Sequence, residues 1–384
     1  MKSNRAFKEG HIKMKRSFIR IVSVLLAVLL MVSSFVGCNK ENQENPDDST
    51  TKVSTEESTT DVNEVSRNIN PLTGVADLSE DAIGARPIAI MVENSPAARP
   101  QWGITTPDIV VEGVAEGGIT RMMWIYADAN KIPEKVGPIR SARHDFVELA
   151  KGLDAIFVHW GASDGSKVGL TLGYQTIRSL GVNNIDGKKY EGSYFFRDTT
   201  RKTSIEHRGI TTQAALRRAI SDFGYSTTAK TNNWQPFNVI ADSQSVASTN
   251  LENCSSISVT FSTGFTHTFR YDTIEKRYYN YLNNTVMTDG NNGKSMAVEN
   301  VIVLYVPVTT LNTNEGHKEW NWDIGSGEGY YVSNGVGQEI TWSKAGKTAP
   351  LKIQDMNNQE LVINPGQSWI GVVPAGNKGL TQVQ

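Results

Sequence analysis

IVVEGVAEGGITRMMWIYA, residues 109–127, is the stretch of this sequence that decides the fold. It contains two short apolar runs, Ile109–Val114 and Met122–Ala127. Short apolar runs bounded by turn residues are typical of buried strands. Glu116-Gly117-Gly118 lies between the runs and predicts the turn that joins them. We therefore expect two strands connected by a tight turn.

The residues around this stretch predict a mixture of strands and helices. Pro87–Val92 and Ala155–Trp160 are further short apolar runs, which we interpret as strands. A helix is predicted from Pro138 to about Lys151, because proline is tolerated at the first helical position, where its missing N–H costs nothing. A second helix follows a threonine cap at Thr211 or Thr212. The first half of the folded chain is therefore predicted to be mixed α/β.

The residue pattern of the chain changes after a segment rich in Ser, Thr and Asn at Tyr225–Ser248. Helical periodicity nearly disappears, and apolar runs alternate with Gly, Asn or Pro, which favours an antiparallel sheet or a partial barrel. The predicted strands are Ser256–Phe261, Thr266–Tyr271, Lys276–Leu282, Val301–Val308, Gly329–Ser333, Glu339–Trp342, Leu351–Gln354, Glu360–Ile363 and Ser368–Val373. We place a mixed α/β domain at 69–228 and a β-rich domain at 229–384.

The N-terminus has the features of an export signal. Residues 1–37 contain a basic segment, the apolar run Ile21–Val32 and a zone of small and apolar residues. The run is shorter than the roughly 20 apolar residues that a spanning helix needs. Cys38 follows directly, as in a bacterial lipoprotein signal, and we predict that it is lipidated; the alternative is an uncleaved anchor with an incidental cysteine. Translation from Met1 and from Met14 both remain open.

Residues 38–68 are predicted to be a disordered acidic tether. The segment consists mainly of Glu, Asn, Asp, Ser and Thr, and such a composition cannot bury enough apolar surface to offset the entropy of ordering. Behind a lipidated Cys38, this tether would hold the folded part at the outer face of the cytoplasmic membrane.

Composition narrows the classes of function. The 384 residues carry a net charge of −2, which gives no electrostatic reason to expect a nucleic-acid partner. Two cysteines are present, and if Cys38 is lipidated, Cys254 has no disulfide partner. The six histidines form no recognised metal motif, so neither a metal nor another cofactor is predicted.

The densest group of charged residues spans positions 112–144. Arg140, Arg143 and His144 fall in the first two turns of the predicted helix, where the helix already carries partial positive charge. Several cations at this position would be stabilised by an anion, which could belong to a ligand or be one of the chain's own carboxylates. The candidate internal partners are Glu112, Glu116 and Asp145.

A second basic group includes Arg197 and Arg201, in a segment with little periodicity that also contains His207. Loops on a rigid scaffold often carry function, although a merely solvated loop is an equally open interpretation. If both groups converge, they would form a cleft for a carboxylate, a phosphate or an anionic glycan. The candidate ligand-binding residues are Glu116, Arg121, Arg140, Arg143, His144, Arg197 and Arg201.

A catalytic alternative comes from Gly161-Ala162-Ser163-Asp164-Gly165, which directly follows a predicted strand as in a nucleophile elbow. Ser163 would attack and His207 would take its proton. The G-x-S-x-G pattern also arises by chance in chains rich in Gly and Ser, so this hydrolase is the second hypothesis.

Trp320 and Trp322 lie in a polar, Gly-rich segment and have two interpretations. They could form a stacking platform for a sugar ring, or they could pack in the core or against a hairpin.

Several motifs together resemble the YerB-type lipoprotein family. The motifs are Asn70-Pro71-Leu72-Thr73-Gly74, Arg86-Pro87-Ile88-Ala89-Ile90-Met91, Glu116-Gly117-Gly118-Ile119-Thr120-Arg121, Gly137-Pro138-Ile139-Arg140-Ser141-Ala142-Arg143, Phe195-Phe196-Arg197-Asp198 with His207, and Asn364-Pro365-Gly366-Gln367-Ser368-Trp369. The resemblance covers residues 70–374. It implies a pair of domains of unknown function, a mixed α/β sandwich fold, and a membrane-anchored envelope lipoprotein of mainly Gram-positive bacteria. It brings no established activity, but its GPIRSAR block matches Arg140 and Arg143.

We therefore expect an α+β fold, with an N-terminal mixed α/β sandwich domain followed by a β-rich antiparallel domain. The expected function is that of a lipid-anchored extracytoplasmic module that binds an anionic envelope component or an envelope protein. The alternative is a cell-wall-directed serine hydrolase that uses Ser163 and His207.

Overall fold

The structure, a computed structural model, describes residues 68–230, 238–239, 252–323 and 325–384. These residues belong to one compact unit. The predicted signal peptide, Cys38 and nearly all of the predicted tether lie outside the described residues, as does most of the Ser/Thr/Asn-rich segment. No helix in the described ranges is long and apolar enough to cross a membrane.

The described part of the chain contains four α-helices, twenty-three β-strands and several short 3-10 helices. The α-helices are α1 (His144–Gly152), α2 (Gly173–Leu180), α3 (Gly187–Tyr190) and α4 (Gln213–Asp222). The strands are β1 (Ile88–Glu93), β2 (Ile109–Glu116), β3 (Ile119–Tyr126), β4 (Ile156–His159), β5 (Asn184–Asp186), β6 (Phe196–Arg197), β7 (Gly209–Ile210), β8 (Asn238–Val239), β9 (Glu252–Asn253), β10 (Ser256–Ser262), β11 (Phe265–Asp272), β12 (Arg277–Leu282), β13 (Thr285–Val286), β14 (Ala297–Val298), β15 (Asn300–Val306), β16 (Val308–Thr310), β17 (Lys318–Trp320), β18 (Gly325–Ser333), β19 (Val336–Lys344), β20 (Lys352–Asp355), β21 (Val362–Ile363), β22 (Ser368–Pro374) and β23 (Gln382–Val383).

Strands from both halves of the sequence join in one eleven-stranded sheet, the large sheet. Its order is β20-β19-β18-β15-β22-β2-β3-β1-β4-β5, with β9 paired to β19. The 109–127 stretch forms the antiparallel pair β2–β3, so the two strands and the turn predicted there are confirmed. A parallel pairing of β2 with β22 connects the strands of the two halves. The proposed division of the chain at residue 228 stays a prediction.

A smaller antiparallel sheet packs against one face of the large sheet. It has the order β13-β12-β11-β10-β23, with β14 paired to β12. Trp369 of the large sheet and Phe269 of the small sheet meet with ring centroids 4.7 Å apart. The α+β fold is confirmed, with a mixed sheet in the N-terminal half and mainly antiparallel strands in the C-terminal half. The parallel pair β15–β22 is an exception to that antiparallel pattern.

Helix α1 and two tryptophans cover the opposite face of the large sheet. Phe146 of α1 meets Trp320 with ring centroids 4.6 Å apart, and Trp320 in turn contacts Trp322 at 5.1 Å. Both indoles are almost completely buried. The sugar-stacking interpretation of these residues is therefore wrong, and the packing interpretation is confirmed.

The first predicted helix begins later than expected. Its first residue is His144 rather than Pro138. The preceding residues are extended and bind the end of β1, because Glu93 N donates to the Pro138 carbonyl at 3.0 Å and Arg140 N donates to the Met91 carbonyl at 3.0 Å. Hydrogen bonds to a neighbouring strand thus replace the first predicted turns, and Arg140 is not helical.

The second predicted helix is confirmed as α4. Thr212 is its N-cap, and the Thr212 side chain accepts a hydrogen bond from Ala215 N at 3.0 Å. One face of the helix buries Leu216, Ala219 and Ile220 against the core, as its apolar spacing predicts.

Candidate functional site

Glu116 joins two of the predicted arginines at one end of the large sheet. It is the last residue of β2, and its carboxylate forms ion pairs with Arg121 Nη2 and with Arg143 Nε, the latter at 2.9 Å. Arg143 is the N-cap residue of α1, but its side chain makes no capping hydrogen bond. The structure thus brings Glu116, Arg121 and Arg143 together, as the sequence predicts.

A second carboxylate, Glu93, lies beside this group because β1 and β3 are antiparallel and pair Glu93 with Arg121 in register. His207 Nδ1 lies 2.9 Å from Glu93 Oε2. Arg140 Nε lies 3.5 Å from Glu93 Oε1. The guanidinium of Arg201 lies close enough to interact electrostatically with Glu93. Residues from the two predicted basic groups therefore do converge, and they converge on Glu93.

The charged groups shift one another's pKa values. Burial alone raises the pKa of Glu116, but the nearby Arg121 and Arg143 outweigh it and lower this pKa to about 2. Burial lowers the pKa of Arg121 to about 10, although Glu116 and Glu93 oppose that shift; Arg143 and Arg140 reinforce it. At neutral pH, three guanidinium groups (Arg121, Arg140 and Arg143) therefore face two carboxylates. We call these five residues the arginine cluster. It has an excess of one positive charge.

Several guanidinium donors of this region have no acceptor. The Arg121 side chain is only 2% exposed. Within the described ranges, neither its Nε nor its Nη1 has a hydrogen-bond partner, and the same holds for Arg201 Nη1. Arg140 Nε makes no hydrogen bond either, but the Glu93 carboxylate lies 3.5 Å from it. A buried donor without an acceptor costs about 1–3 kcal/mol. Because the Arg140 side chain remains 28% exposed, the group is accessible from solvent on that side.

Two of the three predicted internal partners are wrong. Glu112 lies on the opposite face of the large sheet, where His267, Thr120 and Trp369 bind its carboxylate. Asp145 accepts a hydrogen bond from Trp320 N at 2.9 Å and contacts no arginine among the described residues. A β-bulge between Val114 and Glu116 explains the first error. Residues four apart on a regular strand share a face, but the extra residue of the bulge turns Glu116 to the face opposite Glu112.

His144 is adjacent to the cluster but does not act as a cation. Burial lowers the pKa of its imidazole to about 4, and Lys347 nearby adds to this shift, so the ring is neutral at pH 7. Both ring nitrogens are buried and lack a hydrogen-bond partner in the described part of the chain. The prediction of a third cation at this helix end is therefore wrong.

The side chain of Arg197 binds residues outside the arginine cluster. Its Nε binds Glu191 at 2.8 Å, its Nη1 donates to the Ile205 carbonyl at 2.8 Å, and its guanidinium carbon lies 3.8 Å from the centroid of the Trp160 ring. Arg140 Nη1 reaches the next carbonyl, that of Glu206, at 3.4 Å. Arg197 and the arginine cluster thus share the 205–206 turn, but the structure does not bring Arg197 into the cluster.

The arrangement predicted for a serine hydrolase is not formed. Ser163 follows β4, but α2 begins only at Gly173, so the strand–turn–helix order of a nucleophile elbow is absent. Ser163 Oγ accepts a hydrogen bond from Gly173 N at 3.0 Å. His207 binds Glu93, and no hydrogen bond links Ser163 to a histidine among the residues described.

Glu93 is the site residue that sequence reasoning missed. It directly follows the apolar run of β1, as Arg121 directly precedes the apolar run of β3. An acidic residue directly after one apolar run and a basic residue directly before the apolar run of the antiparallel partner form the signal that could have identified the pair. No group of three or more His, Cys, Asp or Glu side chains that could hold a metal occurs in the described ranges.

Comparisons with known proteins identify the family of this chain. Residues 72–226 match "Protein of unknown function (DUF3048) N-terminal domain", and residues 257–370 match the corresponding C-terminal domain. The "Putative lipoprotein YerB" of Bacillus subtilis (strain 168) is 30% identical over 316 residues, which are 79% of this chain and 86% of that protein. A crystal structure of YerB from Bacillus subtilis has 28% sequence identity and a TM-score of 0.68, covering 82% of this chain and 99% of that one. The chain therefore belongs to the YerB-type lipoprotein family.

Proposed function

We propose that this protein is a lipid-anchored extracytoplasmic module that binds an anionic component of the cell envelope, or an acidic segment of an envelope protein. The observation that carries the proposal is the set of buried guanidinium N–H groups on Arg121 and Arg201 that have no hydrogen-bond partner among the described residues. Fixed guanidinium groups bind carboxylates and phosphates with well-defined geometry. An anion entering beside Arg140 would satisfy these donors.

The charge balance supports binding over purely internal pairing. Glu116 neutralises part of the positive charge of Arg121 and Arg143, and Glu93 interacts with Arg140. One positive charge of the arginine cluster remains uncompensated, and Arg201 lies close by. A cluster that served only the stability of the fold would be expected to use all its buried donors.

The proposed location rests on the sequence and on the relative. The order of a basic segment, an apolar run and Cys38 predicts a lipidated mature N-terminus. The relative from Bacillus subtilis carries the word lipoprotein in its name. We infer that Cys38 anchors the chain at the outer face of the cytoplasmic membrane, where wall peptides, anionic polymers and acidic protein segments are available.

Recovery of bound envelope material tests this proposal. The tagged full-length protein would be captured from membranes with its anchor intact, as wild type and as Arg140→Gln/Arg201→Gln. A matched control is Arg217→Gln, because Arg217 forms an exposed ion pair with Asp81 beyond the other end of β3. We expect the wild type and the control to retain the same salt-displaceable components, and the double variant to lose them.

Two results would contradict the proposal. If the double variant retained every component, the arginines would not be the binding site. If the double variant unfolded at a much lower denaturant concentration than the wild type, while Arg217→Gln did not, internal stabilisation would explain the guanidinium groups instead.

A further inference from the structure

The depth of the unpartnered donors restricts the shape of the ligand. Arg121 is 2% exposed and Arg143 is 9% exposed, whereas Arg140 at 28% and His207 at 17% are the more accessible groups. A charged group in the middle of a polymer has a chain on both sides and cannot easily reach buried donors. A group at the end of a chain can enter past Arg140 and His207 and approach Arg121.

The charges around the cluster restrict the ligand further. The five residues of the arginine cluster carry one excess positive charge, which matches a monoanion. The guanidinium of Arg201 is held outside the cluster, where it stacks on the Trp102 ring and donates to the Pro100 carbonyl. A terminal phosphate carries about −1.5 to −2 charges at pH 7. The additional negative charge would face the carboxylates of Glu93 and Glu116, because both belong to the cluster. A terminal carboxylate has a single charge and a planar geometry that suits guanidinium groups.

We propose that the anion bound by the arginine cluster is a terminal carboxylate, inserted end-on past Arg140 and His207 toward Arg121. This inference rests on the proposed function and specifies its ligand. The carboxylate can come from a small organic acid or from the C-terminus of a peptide, since both present the same group. In either case its oxygens accept hydrogen bonds from Arg121 and Arg140.

Calorimetric titration of the full-length protein in mild detergent tests the proposal. The probes are N-acetyl-Ala-Ala with a free carboxylate, the same dipeptide as its C-terminal amide, acetate, inorganic phosphate and glycerol phosphate. We expect the free-carboxylate dipeptide to bind and the amide not to bind. If acetate binds as tightly as the dipeptide, the ligand is a small organic acid. If acetate binds more weakly than the dipeptide, the ligand is the C-terminus of a peptide.

Variants then locate the binding. Loss of a charged hydrogen-bond donor in Arg140→Gln should weaken carboxylate binding about tenfold or more, and Arg217→Gln should leave it unchanged. Tighter binding of phosphate or glycerol phosphate than of carboxylate, lost in Arg140→Gln, would overturn the carboxylate assignment but leave an anion-binding function standing. Binding of the amide as tightly as the free acid, binding unaffected by Arg140→Gln, or no binding of any probe at millimolar concentration would also overturn the assignment. The capture experiment decides the broader function separately.

Discussion

The buried pair Glu112–His267 offers a quantitative test of how the two sheets are held together. Glu112 belongs to the large sheet and His267 to the small one, and both side chains are 0% exposed with 3.0 Å between Oε1 and Nε2. The other ring nitrogen of His267 lies 2.8 Å from Asn280 Oδ1. Each ring nitrogen thus faces an oxygen, so His267 is hydrogen-bonded on both sides of its ring.

The expected loss of stability follows from this geometry. Two unit charges at a separation of 3.0 Å would attract by about 5.5 kcal/mol at an effective dielectric constant of about 20. Removing one partner of a buried pair leaves the other charge uncompensated and typically costs about 3–5 kcal/mol. We therefore expect Glu112→Gln and His267→Phe each to lower the free energy of unfolding by about 3–5 kcal/mol. The double variant should lose much less than the sum of both.

Urea unfolding followed by tryptophan fluorescence measures these changes, since Trp369 Nε1 itself donates to Glu112 Oε2 at 3.1 Å. A matched control is Glu315→Gln, which removes a Glu–His contact of 3.9 Å whose carboxylate is 66% exposed. This control should cost less than about 1 kcal/mol. Losses below about 1 kcal/mol in both single variants, or additive losses in the double variant, would refute the reasoning.

Two further predictions concern packing and pH. A Cβ at Gly113 would lie 2.1 Å from Trp320 Cζ2, so Gly113→Ala should cost about 1–3 kcal/mol by urea unfolding. Gly264→Ala, where an added Cβ meets nothing within 4 Å, should change stability by less than about 0.5 kcal/mol; equal losses would contradict the packing argument. Burial, with Asp323 nearby, raises the pKa of Glu148 from 4.5 to about 7. The folded state then holds this proton more tightly than the unfolded state, so stability should fall as pH rises from about 4.5 to 7. This loss of stability between pH 4.5 and 7 should be smaller in Glu148→Gln. A pH profile of stability identical to that of the wild type would contradict the prediction.

The fold was more predictable from the sequence than the exact ends of its elements. Apolar runs identified β2 and β3 because such runs reflect burial directly. The start of α1 was misjudged because Pro138 is compatible with a first helical turn. The segment after it is instead held by hydrogen bonds to β1, more than forty residues earlier in the sequence. Local propensity carries no information about such long-range pairing.

The candidate site was predictable in part for a similar reason. The GPIRSAR block identified Arg140 and Arg143, and the 112–121 stretch identified Glu116 and Arg121. The meeting of Arg121 with Glu93 depends on strand register, and that of Arg140 with Glu93 depends on the bridge between Ile139 and Val92. A charge pattern alone gives neither. Burial of the surrounding chain also determines that His144 is neutral, and this could not be inferred from its position beside two arginines.

The arginine cluster and the start of the described chain lie at opposite ends of the large sheet. Asn70 donates to Asp108 at 2.9 Å, immediately before β2 begins, whereas Glu116 ends β2. The strand has eight residues, so its two ends are about 24 Å apart at about 3.4 Å per residue. The guanidinium groups of the cluster therefore lie at the end of β2 that is remote from the residues at which the described chain starts, so a ligand can approach them without passing those residues.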